Sequence, residues 1–114
     1  MKSYTDLEQS KKLAEILPIE SADMYYVYDR HLDKLYGDTP YVSGYKVVNG
    51  NVDIPCWSLP ALLNVLPKGT RLLKSATDDI YHCDCPKCNI DEWFDNPIDV
   101  CYEMIIRLTQ FKML

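Results

Sequence analysis

Residues 96–108 read Asn-Pro-Ile-Asp-Val-Cys-Tyr-Glu-Met-Ile-Ile-Arg-Leu. The stretch opens like a helix. Asn96 is a good N-cap, and Pro97 suits the first position, where a missing amide hydrogen costs little. Asp99 falls near the positive end of the helix dipole. Ile98, Cys101, Ile105 and Leu108 then recur at i, i+3, i+7 and i+10, and Val100, Met104, Ile106 and Phe111 widen the stripe. A helix this apolar must be covered along much of its length, and a sheet is the surface that covers it best. The fold class therefore turns on whether the chain upstream supplies strands.

It does. Thr70 to Ser75 and Ile80 to Cys83 flank Thr77-Asp78-Asp79 and read as a β-hairpin with a polar turn. Before it, Ser58 and Pro60 start a short helix whose Leu59, Leu62, Leu63 and Leu66 share a face, ended by Pro67 and Gly69. Residues 23–29, with Met24-Tyr25-Tyr26-Val27-Tyr28, are aromatic and β-branched and predict a strand. Gly37, Pro40 and many polar groups make 30–43 a loop. Gly44 to Val48 predicts a second strand, Asn49-Gly50 a tight turn, and Asn51 to Ile54 a short return strand. At the start, Thr5 followed by Glu8 has the spacing of a capping box, and a helix is expected over residues 6–16 until Pro18 stops it. The expected fold is α+β. A mainly antiparallel sheet of about four strands is accompanied by an N-terminal helix, a short middle helix and a long C-terminal helix, with the terminal helices covering one face.

The chain has 114 residues, enough for one domain over 1–114. Hydrophobic residues make up 47% and charged ones 25%, which is enough apolar surface to offset chain entropy and makes disorder a poor description. No run approaches the roughly 18 apolar residues of a membrane span. The opening residues, Met-Lys-Ser-Tyr-Thr-Asp-Leu-Glu, lack the apolar centre of a signal peptide, so the protein is read as cytoplasmic with reduced thiols. The formal net charge is −5, and neither half of the sequence carries a basic patch. Direct nucleic-acid binding is therefore disfavoured, because phosphate backbones need clustered Lys or Arg. The acidic stretch 78–99 reads as a solvated loop region rather than a mimic of nucleic acid.

One cluster could name a chemistry. Residues 82–89 read His-Cys-Asp-Cys-Pro-Lys-Cys-Asn. Cys85-Pro86-Lys87-Cys88 has the form of half a zinc ribbon, because a turn of this length points both sulfurs inward. The other half is missing. Cys56 and Cys101 are singletons with core-like neighbours, and the local candidates His82, Cys83, Cys85 and Cys88 would crowd a whole zinc site into seven residues. Without a second pair, the base expectation is that these are strand-end thiols, with zinc the competing reading. A thiol-redox reading is weaker. Such an active site wants its first cysteine at a helix N-terminus. Here Asp91, Glu92 and Asp95 follow instead, and Pro97 leaves little room for that helix.

Other catalytic patterns are lacking. His31 stands alone in a polar stretch. The four glycines do not cluster into a phosphate loop. A cysteine-dependent enzyme would use Cys56 or Cys101, but needs a base and an orienting group that sequence does not place. The nine tyrosines leave two readings open. Tyr25, Tyr26 and Tyr28 alternate faces on one strand, so some must point outward, either as a binding surface or as amphipathic cover on a half-buried sheet.

Three phrases also stand out together: Leu17-Pro18-Ile19-Glu20-Ser21-Ala22-Asp23-Met24-Tyr25-Tyr26, Ile54-Pro55-Cys56-Trp57-Ser58-Leu59, and Asp95-Asn96-Pro97-Ile98-Asp99-Val100-Cys101-Tyr102-Glu103-Met104-Ile105. Across most of its length the chain resembles a group of small uncharacterised proteins of Bacteroides-type gut bacteria, often in phage-like or mobile regions. The resemblance implies no activity and carries no catalytic residue. The expected function is a non-enzymatic, macromolecule-binding or accessory protein of a bacterium or its phage, with a protein partner and no cofactor. The alternatives are a zinc-stabilised binding module and a cysteine-dependent enzyme.

Overall fold

The computed structural model describes residues 2–29, 34–35, 40–42, 52–86, 88–89 and 92–112. They group into two compact units. One spans Tyr4–Ser58, and the other joins Met1–Ser3 to Leu59–Leu114.

In the Tyr4–Ser58 unit, helix α1 covers Leu7–Ala14. Its capping box lies one residue later than the sequence suggests. The Asp6 carboxylate accepts from the Gln9 amide at 2.8 Å, and the Gln9 side chain accepts from the Asp6 amide at 3.1 Å. Thr5 is displaced from that role because its side chain is buried elsewhere. A 3-10 turn at Ile19–Ser21 leads into strand β1, Met24–Asp29. Strands β2, Lys34–Leu35, and β3, Tyr41–Val42, are two residues each, and β4 is Val52–Cys56. β1 is the centre of this sheet. β4 pairs antiparallel along one edge, from Met24↔Cys56 to Tyr28↔Val52. β2 and β3 share the other edge, at Tyr28↔Leu35 and at Tyr25↔Tyr41. Segment 30–43, read as a loop, thus contributes two short strands. The expected strand at 44–48 and the Asn49-Gly50 turn lie outside the described residues.

The core of this unit is built around the start of the chain. Leu13 and Leu17 of the α1 region pack with Tyr26, Cys56 and Trp57, all buried. Thr5 ties the pieces together. Its amide donates to the Trp57 carbonyl at 2.9 Å, and its hydroxyl accepts from the Trp57 amide at 3.1 Å. The same hydroxyl is 2.8 Å from Ser10 Oγ. Tyr26 donates its hydroxyl proton to the Thr5 carbonyl at 2.8 Å. Trp57 Nε1 donates to Ser21 Oγ at 3.0 Å. Every buried polar group of this cluster therefore has a partner, as burial requires.

The other unit holds α2, Leu59–Val65, then β5, Arg71–Lys74, β6, Tyr81–Cys85, and β7, Cys88–Asn89, and ends with α3, Pro97–Gln110. The strands form an antiparallel sheet in the order β5-β6-β7. α3 packs on β6 and on α2. Its Ile98, Val100, Cys101, Met104, Ile105 and Leu108 are buried, as the stripe predicts, whereas Phe111, counted with that stripe, falls at the C-cap and is exposed. The cap also matches: Asn96 Oδ1 accepts from the Asp99 amide at 2.8 Å. Lys2 pairs with Asp99 at 2.8 Å.

The expected single sheet of about four strands is corrected. The α+β class holds, but the strands divide between two sheets, and each sheet has its own helix. α1 packs on β4, and α3 packs on β6. Periodicity identifies a strand by its alternation, and alternation carries no information about which edge the strand will join.

Candidate functional site

The β5–β6 ladder sorts its side chains onto two faces. Leu72↔Cys83 and Lys74↔Tyr81 are partners on one, and Arg71↔Asp84 and Leu73↔His82 on the other. Cys83 and Cys85 are buried, so the first face is the one α3 covers. The second is the outer face. Arg71 and Asp84 form a cross-strand ion pair there. Leu73 lies beside His82 and is 40% exposed.

Trp93 completes this face. Phe94 bridges to Tyr81 on the edge of β6 opposite β5, with amide-to-carbonyl bonds of 2.6 and 2.8 Å in both directions. Trp93 therefore sits one residue out of phase with Phe94, over His82. The two rings lie 5.2 Å apart at 35°. Trp93 is 48% exposed. An indole and a leucine held this open on a paired sheet face form an apolar centre with a charged margin. Interfaces bury such aromatic anchors. Sequence reasoning missed Trp93 because it stands among acidic residues, Asp91, Glu92 and Asp95. The available signal was the alternation of Arg71 and Leu73 against Leu72.

The tyrosine strand divides. Tyr26, named above as a surface candidate, is a core residue at 5% exposure, its hydroxyl spent on the Thr5 carbonyl. Burial, with the neighbouring Cys56 thiol next in weight, pushes its phenol well above the ordinary range. Tyr25 is half-buried and stacks on the exposed ring of its strand partner Tyr41, centroids 5.6 Å apart and planes at 22°. The backbone of Tyr28 pairs with Leu35 and Val52. Its side chain lies outside the described residues.

The cysteine cluster is spread rather than gathered. On β6, His82 projects from the outer face while Cys83 and Cys85 project inward. Cys88 is the register partner of Cys85. Among the described residues, no three of His, Cys, Asp and Glu converge as metal ligands do. Cys56 and Cys101 are fully buried. Burial raises the Cys56 thiol, opposed in part by its contacts with Thr5 and Ser10. A hydrogen bond to Cys83, together with burial, holds the Cys101 thiol far above its ordinary range. Thiols in this state are poor nucleophiles at neutral pH.

A cleft of about 480 Å³ is lined by Lys2, Lys74, Asp79, Tyr81, Asp95 and Asn96. Lys74 pairs with Asp79 at 3.2 Å and lies over the Tyr81 ring. Lys2 pairs with Asp99. Its cations are thus balanced by carboxylates, and none of the six lining residues is a His, Cys or Ser that could act as nucleophile or imidazole base. No helix is long and apolar enough to cross a membrane among the described residues.

Comparison with protein-family models, with curated proteins and with solved structures returned no match. The functional reading therefore rests on this geometry.

Proposed function

We propose that the chain is a non-enzymatic binding protein of a bacterium or its phage, which engages a protein partner through the outer face of the β5–β6–β7 sheet. The observation that carries the reading is Trp93, half exposed, with its ring tilted at 35° against His82, whose cross-strand partner on β5 is the exposed Leu73. Supporting it, the thiols a nucleophilic mechanism would need, Cys56 and Cys101, are buried with raised pKa values. The balanced charges of the cleft also favour no anionic or cationic substrate.

The test compares the native chain with Trp93→Ala, Leu73→Ala and Tyr41→Ala. Each is used to capture protein from a lysate of a Bacteroides-type host, and the captured protein is then purified and titrated. Truncating an aromatic hot spot weakens binding by about 2 kcal/mol or more, roughly 30-fold. That loss is expected for Trp93→Ala, with a smaller one for Leu73→Ala and none for Tyr41→Ala. Equal affinity of the native chain and Trp93→Ala would remove the surface. Turnover by a homogeneous preparation in a hydrolase or redox screen would remove the non-enzymatic reading.

A further inference from the structure

Cys85 and Cys88 stand opposite one another on β6 and β7. The two residues are direct partners in an antiparallel pair, so their side chains leave the same face of the hairpin. Directly opposed residues of this kind have Cα atoms about 4.5–5.5 Å apart. A disulfide spans Cα separations of about 4.4–6.8 Å. The pair can therefore close with the ladder in place. The turn itself is braced: Gly69, at φ +89°, brings its backbone against Pro86, and a Cβ there would stand 3.0 Å from Pro86 Cγ.

Access separates the two thiols. Cys85 is buried and Cys88 is half-buried. Cys56, Cys83 and Cys101 have no exposed surface. An oxidant in solution therefore meets Cys88 first, and Cys85 waits behind it as a resolving thiol. The two cysteines sit on paired strand ends, not at a helix N-terminus, so they lack the dipole that activates the catalytic thiol of an oxidoreductase. It suits a thiol pair that is acted upon.

We propose that Cys85 and Cys88 form a reversible dithiol–disulfide pair, oxidised by a small disulfide of the glutathione class. The Cys88 thiolate attacks one sulfur of oxidised glutathione, forming a mixed disulfide and expelling one glutathione thiolate. The Cys85 thiolate then attacks the Cys88 sulfur and expels the second. The protein loses two protons and two electrons, and one oxidised glutathione becomes two reduced ones. Excess reduced glutathione runs the steps backward.

The folded chain is treated with oxidised glutathione at neutral pH, quenched with acid, and measured by intact mass and peptide mapping. The expected product has lost two hydrogens and carries a Cys85–Cys88 link. Cys85→Ser is expected to stop at one glutathione adduct on Cys88, and Cys88→Ser to take neither adduct nor link. In the untreated native chain, alkylation labels Cys88 at least about tenfold faster than any other cysteine. Prior oxidation removes that label. A native chain that stays fully reduced, a first link mapped to Cys83–Cys101, or equal labelling of all five cysteines would overturn the proposal. The labelling arm uses the unaltered chain, so it holds even if a serine variant fails to fold.

Discussion

Thr5 shows how one side chain can be assigned correctly in type and wrongly in place. Its hydroxyl does satisfy a backbone amide, but that amide belongs to Trp57, 52 residues away, and not to α1. Thr5→Val keeps the shape and removes the hydroxyl, leaving the Trp57 amide without that acceptor and the Ser10 hydroxyl with only the longer bond to the Thr5 carbonyl at 3.5 Å. A loss of about 1–3 kcal/mol is expected in a urea titration, with Thr5→Ser recovering most of it. Tyr26 gives a pH dependence. Its folded-state pKa is raised by burial and by Cys56, so the folded chain holds the phenolic proton more tightly than the unfolded chain does. The contribution is intact below about pH 10, the ordinary tyrosine value, and is lost as pH rises beyond it. Cys56, raised by burial, adds a loss of the same sign that begins from about pH 8.5. Tyr26→Phe is expected to cost about 1 kcal/mol at neutral pH and to flatten the fall between pH 10 and 11. Unchanged alkaline behaviour in that variant would sever the link to Tyr26.

Among the elements, α3 was the most legible. Its cap and first-position proline appear at the expected residues, and the stripe does so except at Phe111, which caps the helix end and is exposed, and Ile106, which is half-buried. Asn96 also donates to the Asp99 carboxylate at 2.7 Å. Asn96→Ala is expected to lower stability by about 0.5–2 kcal/mol, read from the thermal midpoint, with Asn96→Ser largely restoring it. The short strands were the least legible. β2, β3 and β7 have two residues each, too few for alternation to register. Each exists because a longer strand, β1 or β6, offers unpaired backbone groups along an edge. The surface centred on Trp93 depends on the same kind of contact, since the Phe94 bridge to Tyr81 sets the phase of the indole.

At the scale of the molecule, the zinc-stabilised reading makes a prediction that the geometry opposes. Structural zinc takes four converging ligands and is lost to chelators with loss of fold. His82 stands on the face opposite Cys83 and Cys85. The thermal midpoint is therefore expected to be the same with and without EDTA, and a fall of several degrees would return the cluster to metal binding. By itself, the sequence determined the α+β class, the apolar stripe and cap of the last helix, the helical character of the first, and the strand character of 23–29, 52–54 and the 70–83 hairpin. Those properties depend on residues a few positions apart, where side-chain periodicity and backbone preference act directly. Only the tertiary structure decided that there are two sheets, that Tyr26 lies inside while Trp93 lies outside, and that Cys85 faces Cys88 with His82 turned away. Those outcomes depend on which edge each strand joins and which face a helix covers, and distant burial, not local preference, sets both.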